Sequence, residues 1–133
     1  MYTELEIIDD GQIRLVGGQS YASGRIEIHY HNMWGTMCND YFTLREANVV
    51  CRQLGFLRAN SYGNTYGAGV GPIWLDNIYC KGNESSITDC SHLGWRVHNC
   101  AHYKDIGVNC HDGKISSSIY VTYFTKSLQN FFI

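Results

Sequence analysis

Trp34-Gly35-Thr36-Met37-Cys38-Asn39-Asp40, running on through Thr43 to Phe56, sets the architecture of this chain. From Thr43 onward it reads as one amphipathic helix. Thr43 and Glu46 stand three apart, the capping-box spacing, in which the threonine hydroxyl accepts a first-turn N–H and the glutamate reaches back. Leu44, Ala47, Cys51 and Leu54 recur at helical intervals with Val50 beside them, and Gly55 supplies the left-handed residue that ends the helix. A helix of about three turns with one apolar stripe does not persist alone in water. It needs a sheet to cover that stripe. Cys51 falls on the buried face and Cys38 lies just ahead of the helix, so two covalent ties to the sheet are expected.

Strand patterns flank the helix on both sides. Ile13-Arg14-Leu15-Val16 is a short strand stopped by Gly17-Gly18. From Arg25 to Tyr30 the pattern alternates, with Ile26, Ile28 and Tyr30 on one face and Arg25, Glu27 and His29 on the other, which predicts a half-buried strand with a polar outer face. His31-Asn32 makes the turn, and Trp34 to Met37 returns as its hairpin partner. After the helix, residues 59–72 read as a long surface loop rich in glycine and tyrosine. Ile73 to Tyr79 follows as an apolar strand, Glu84 to Cys90 as a second short helix, 91–105 as an irregular stretch and Ile106 to Cys110 as a last strand.

With 133 residues there is room for one domain, and a formal charge of −2 without a basic run excludes a nucleic-acid partner attracted by field alone. Six cysteines without zinc-type C-x-x-C spacing read as a disulfide framework and an oxidising compartment. Spacing does not choose among the roughly 15 pairings open to six cysteines. The start, Met1-Tyr2-Thr3-Glu4-Leu5, lacks the basic and apolar regions of a signal peptide, so an excised domain is expected. The end of the chain, including Ile119 to Phe124 and Phe131-Phe132-Ile133, is too short and polar for a membrane span.

Seven ordered blocks of the sequence are similar to the scavenger receptor cysteine-rich (SRCR) domain. They are Ile13-Arg14-Leu15-Val16-Gly17-Gly18, Gly24 to Ile28, Trp34 to Asp40, Ala47 to Gly55, Gly71 to Asn77, Gly82 to Ser85 and Gly107 to Cys110. The resemblance implies an α+β fold, a curved and mostly antiparallel β-sheet cradling the main helix, with a second short helix and three disulfides. It divides the chain into a lead-in (1–12), the domain (13–111) and a tail or start of another segment (112–133). Ala22 and Phe56 stand where eight-cysteine relatives place an extra bridge, so the chain resembles the six-cysteine group A. The family pattern then implies Cys38–Cys100, Cys51–Cys110 and Cys80–Cys90.

Catalytic motifs are missing: there is no Gly-x-Ser-x-Gly elbow, phosphate loop or His-Glu-x-x-His, and the domain is not expected to be an enzyme. For a cation, the resemblance points to Asn39, Asp40 and Asn109, with Asp76 and Asn77 in a second segment. Two amides stand there where calcium-binding relatives carry carboxylates, so no cofactor is required and calcium is expected to bind weakly. Asp40 and Asp76 serve equally well as turn residues. For a ligand, Arg25, Glu27 and His29 are the exposed positions on a stretch that resembles one linked to bacterial binding; Arg58, Lys81 and Arg96 are further basic positions. Asn83-Glu84-Ser85 is a glycosylation sequon on a turn, and Asn83 would also cap the second helix. The implied function is an extracellular recognition module, secreted or part of an ectodomain, that takes polyanions, a microbial surface or a protein partner. Any membrane attachment lies in other parts of the parent. The alternative is an accessory module of an extracellular enzyme, lysyl oxidase-like or a mosaic serine protease.

Overall fold

The computed structural model describes residues 7–112; the first six residues and the expected tail beyond Asp112 lie outside the described residues. Six strands and one α-helix follow in the order β1 (Ile13–Gly17), β2 (Ser23–Tyr30), β3 (Met33–Met37), α1 (Leu44–Gln53), β4 (Ala59–Gly63), β5 (Ile73–Leu75) and β6 (Gly107–Cys110). Single 3-10 turns occupy Ile87–Asp89 and His102–Lys104.

The long strand β2 organises the sheet. One of its edges carries β1, with Ile13 opposite Ile28 and Gly17 opposite Gly24. Along the other edge Ser23–Arg25 pair with β6, and Glu27–Tyr30 pair with β3. The β2–β3 turn is His31-Asn32, both left-handed at φ 47° and 61°, the two-residue geometry that matches the twist of the strands. β4 extends the sheet beyond β6, and β5 lies parallel to β3, reached through the crossover that contains α1. Ile26 and Ile28 of β2 are fully buried in one core cluster with Ala47, Val49 and Val50 of the helix and with Met37, Leu75 and Val108 from neighbouring strands. Each such side chain contributes on the order of 2 kcal/mol of transfer free energy.

The helix starts as its sequence predicts. Thr43 Oγ1 accepts from the Arg45 N–H at 3.3 Å, and Glu46 Oε1 accepts from the Thr43 N–H at 2.8 Å. Glu46 is itself only 2% exposed, because its other oxygen accepts the Cys80 N–H at 2.9 Å. The capping box therefore also anchors the segment after β5. Ala47, Val49, Val50 and Cys51 form the buried face, whereas Leu44, expected on that stripe, is 45% exposed. Gly55, at φ +94°, carries the chain out of the helix.

Three expectations change. Ala59–Gly63 is a strand and not loop, because its backbone pairs with β6 although its side chains are mostly solvated. The strand from Ile73 ends at Leu75; Asn77 is left-handed at φ 52° and breaks it. The second helix is one 3-10 turn capped by Ser86 rather than Asn83. The disulfides pair Cys38 with Cys100, Cys51 with Cys110 and Cys80 with Cys90, and no cysteine is free. They join the end of β3 to the irregular stretch, α1 to β6, and the segment after β5 to the 3-10 turn.

Candidate functional site

The alternation on β2 holds, but its polar face is covered. Glu27 is 8% exposed and His29 6%, so neither is the surface residue that the sequence suggested. Arg14, opposite Glu27 in the β1–β2 register, donates to Glu27 Oε1 at 2.7 Å, and Arg25 donates to Oε2 at 3.0 Å. The guanidinium of Arg25 continues to the carbonyls of Tyr66 and Gly67, while that of Arg14 lies 4.1 Å from the centre of the Trp34 ring. His29 packs edge-on against Trp34. Arg25, oriented by Glu27, therefore holds the 64–71 loop over the sheet, while His29 packs against Trp34 instead. Arg25, its side chain 12% exposed, is engaged by Glu27 on one side and by two loop carbonyls on the other, which gives it a structural role.

Asp105 completes that clamp. It is 2% exposed and accepts the Gly69 N–H at 2.7 Å. His102 presents Nδ1 to Asp105 Oδ2 and Nε2 to the Gly71 carbonyl, each at 2.9 Å. Only glycine fits at 69: a β-carbon there would lie 2.6 Å from Thr36 Cγ2 and 3.0 Å from Arg25 Nε.

The cation candidates separate into two places. Asp40 and Asp76 come together beside the Cys38–Cys100 bridge, with ligating atoms within 4.8 Å of one another. Yet Lys104 Nζ already sits 2.6 Å from Asp40 Oδ1. That hydrogen bond, helped by the charge of Asp40, holds the lysine pKa above its ordinary value. Asn99, its amide nitrogen turned to the carboxylates, donates to Asp76 at 3.1 Å and Asp40 at 3.0 Å. The Asn77 N–H donates to Asp76 Oδ1 at 2.8 Å, and the Asn39 N–H to the Lys104 carbonyl at 2.9 Å. Asn109 is elsewhere, exposed on β6 opposite Ser23 and Ser61. The third ligand position carried over from the family is thus corrected. Two carboxylates answered by an ammonium and an amide do not fit an ion that takes six to eight oxygens.

A second surface was not legible as a motif. Thr43, Leu44 and Arg45 at the start of α1, with Asn48, meet Tyr62 of β4 and Lys81-Gly82-Asn83 around an open cleft of about 860 Å³. Arg52 reaches the same turn and donates to the Gly82 carbonyl. Arg45 and Lys81 are exposed, and neither side chain has a hydrogen-bond or ion-pair partner among the described residues. The carboxylate of Glu84 turns inward to the Lys81 and Gly82 N–H groups at 2.7 and 2.8 Å. These backbone bonds, that to Lys81 foremost, lower the Glu84 pKa. Of the basic positions named from sequence, Lys81 joins this cleft; Arg45 was missed, because 36 residues of sequence separate it from Lys81. Its only sequence signal is a charged side chain on the solvent side of the first helical turn.

Among known proteins, the scavenger receptor cysteine-rich domain profile matches residues 16–111. Lysyl oxidase homolog 2 of Mus musculus is 48% identical over 107 residues, covering 78% of this chain and 14% of the relative. A scavenger receptor cysteine-rich domain superfamily protein of Patiria pectinifera is 48% identical over 108 residues, covering 80% of this chain and 10% of the relative. The SRCR domain of mouse MARCO, solved as a dimer, superimposes with a TM-score of 0.64 at 46% identity, covering 74% of this chain and 93% of that one. The third SRCR domain of murine neurotrypsin gives 0.66 at 43% identity, covering 74% and 94%. The chain thus spans about a seventh or less of the length of these two curated relatives.

Proposed function

The chain belongs to the scavenger receptor cysteine-rich family, and from that premise we propose that it is a group A recognition module whose ligands are anionic. SRCR domains are extracellular and non-catalytic, and ligand binding is what they do in scavenger receptors. The observation that carries the reading is the cleft at the N-terminal end of α1. Arg45 and Lys81 flank it with no ion pair among the described residues, only the longer-range charge of Glu84 acting on Lys81, and Arg52 adds a third cation at Gly82. An anionic surface, such as a sulfated polysaccharide, supplies what these groups lack, and their attraction is screened by salt.

Replacing Arg45 and Lys81 together by glutamate is expected to weaken heparin binding at low salt by about tenfold or more, since exposed pairs contribute up to roughly 1 kcal/mol each. Biolayer interferometry on immobilised heparin measures it. Equal affinity in the double variant would remove the cleft as the site. The six-cysteine framework and the alanine at position 22 support the group A assignment.

The resemblance to lysyl oxidase homolog 2 favours a second reading at the level of the parent, an accessory module beside a catalytic domain. The domains encoded by the full transcript distinguish this from a receptor.

Calcium, on this reading, is a weak ligand at most. The Lys104 ammonium sits against Asp40 where a cation would have to bind, so the Asp40–Asp76 pair with Lys104 keeps one net negative charge. Titration calorimetry is expected to give a dissociation constant of about 1 mM or weaker in the unaltered domain. Lys104→Glu removes the ammonium and adds a carboxylate, and it should tighten calcium by about tenfold or more. Micromolar binding by the unaltered chain, or no gain in the variant, would contradict this account.

A further inference from the structure

The fold places the sequon at Asn83 on the cationic cleft. Asn83 lines that cleft together with Arg45 and Lys81. Its expected second role, capping the following turn, belongs to Ser86, whose hydroxyl accepts the Thr88 N–H. The Asn83 amide is therefore exposed and has no partner among the described residues; Ser85, two residues on, is exposed as well. Glu84, between them, turns away to hold the Lys81 and Gly82 N–H groups. An enzyme that reads Asn-x-Ser needs a solvated acceptor asparagine with its serine accessible.

Resting on the reading of the cleft above, we propose that Asn83 carries an N-linked glycan and that the glycan controls the access of anionic ligands to Arg45 and Lys81. Transfer joins Asn83 Nδ2 to the anomeric carbon of a lipid-diphosphate-linked oligosaccharide. The carbon–oxygen bond to the lipid diphosphate breaks with its electron pair, and the amide nitrogen gives one proton to a base. The product is a neutral, hydrated and bulky group on the rim of the cleft. It leaves the positive charges in place and obstructs the approach to them. A domain secreted without the glycan presents an open cationic surface, and one secreted with it presents a covered one. Occupancy would then set ligand affinity without any change of fold.

The test uses the chain secreted from glycosylation-competent animal cells, as wild type, Ser85→Ala and Ser85→Thr. Peptide mass spectrometry is expected to find a glycan on Asn83 in wild type and Ser85→Thr and none in Ser85→Ala. An unmodified Asn83 in the wild type overturns the proposal. Heparin is the binding probe. Ser85→Ala is expected to bind about tenfold more tightly than the glycosylated wild type, and trimming the glycan to one sugar with an endoglycosidase should recover most of that difference. Equal affinity of the two glycoforms overturns the control by the glycan, even where the Arg45→Glu/Lys81→Glu change in the Ser85→Ala background abolishes binding and so upholds the cleft. A Ser85→Ala protein that binds no heparin sinks the reading of the cleft. The rate at which an amine-reactive ester acylates Lys81 then still decides whether the glycan covers that side chain. Slower acylation in the glycoform supports cover, and an equal rate refutes it.

Discussion

Alanine at both Cys51 and Cys110 is expected to lower the stability of the domain by about 4 kcal/mol in the chain-entropy description of a bridge. The bridge closes a separation of 59 residues, so its removal frees most of the chain between α1 and β6 in the unfolded ensemble. Both sulfurs are buried, at 0% and 2% residue exposure, and they join the helix to the strand that pairs with both β2 and β4. The same change at Cys80 and Cys90, 10 residues apart, is expected to cost less, about 2.5 to 3 kcal/mol. Because small domains have only about 5 to 15 kcal/mol in total, the loss at Cys51–Cys110 removes a large fraction of it. Urea titration of the two double variants against the wild type measures both values. A loss below about 1 kcal/mol at Cys51–Cys110 would mean that packing of α1 against the sheet, and not the bridge, dominates.

The ordering of these costs follows from sequence separation, and much else was legible at the same level. Thr43 and Glu46 announced the helix start, and the alternation from Arg25 to Tyr30 announced β2 with its core face. Both signals are local, since they depend on spacing within a few residues. What sequence could not provide was the identity of whatever covers a face. The outer face of β2 is polar, and a polar face is normally solvated. Here Arg14, Glu27 and Arg25 satisfy one another and the carbonyls of Tyr66 and Gly67, so the 64–71 loop can close over them. That depends on the β1–β2 register and on a loop some 40 residues distant. Ala59–Gly63 was missed for a related reason. Ala-Asn-Ser-Tyr-Gly has no alternation to read, because the strand is held by its backbone against β6.

The sites divide along the same line. Asp40 and Asp76, placed by the resemblance in separate segments, meet, whereas Asn109, grouped with Asn39 and Asp40, is on β6 between Ser23 of β2 and Ser61 of β4. Lys104, 64 residues from Asp40 in sequence, is the residue that answers it. The basic cleft needed three separate segments to be brought together by α1, β4 and the turn at Gly82. No spacing rule connects Arg45 to Lys81.

Glu46 is where a local signal and a tertiary contact coincide, and its replacement by alanine is expected to cost about 3 to 4 kcal/mol. The side chain has two tasks. Its Oε1 accepts the Thr43 N–H at 2.8 Å and the Thr43 hydroxyl at 2.5 Å, which completes the helix cap. Losing a cap costs about 1 kcal/mol. Its Oε2 accepts the Cys80 N–H at 2.9 Å from a residue that is fully buried. Without that acceptor a backbone donor is left unsatisfied in the interior, at about 1 to 3 kcal/mol, and the space vacated adds a further packing loss. Glutamine separates the two tasks. Its carbonyl oxygen can keep one of the two sets of bonds, but its amide nitrogen then faces a donor at the other, so Glu46→Gln should lie between wild type and alanine, at about 2 kcal/mol. Thr43→Ala removes the cap alone and should cost only about 1 kcal/mol. Chemical denaturation of the three variants gives the ordering. Alanine at 46 costing no more than alanine at 43 would show that the Glu46–Cys80 contact contributes nothing, and that Glu46 serves the helix end alone.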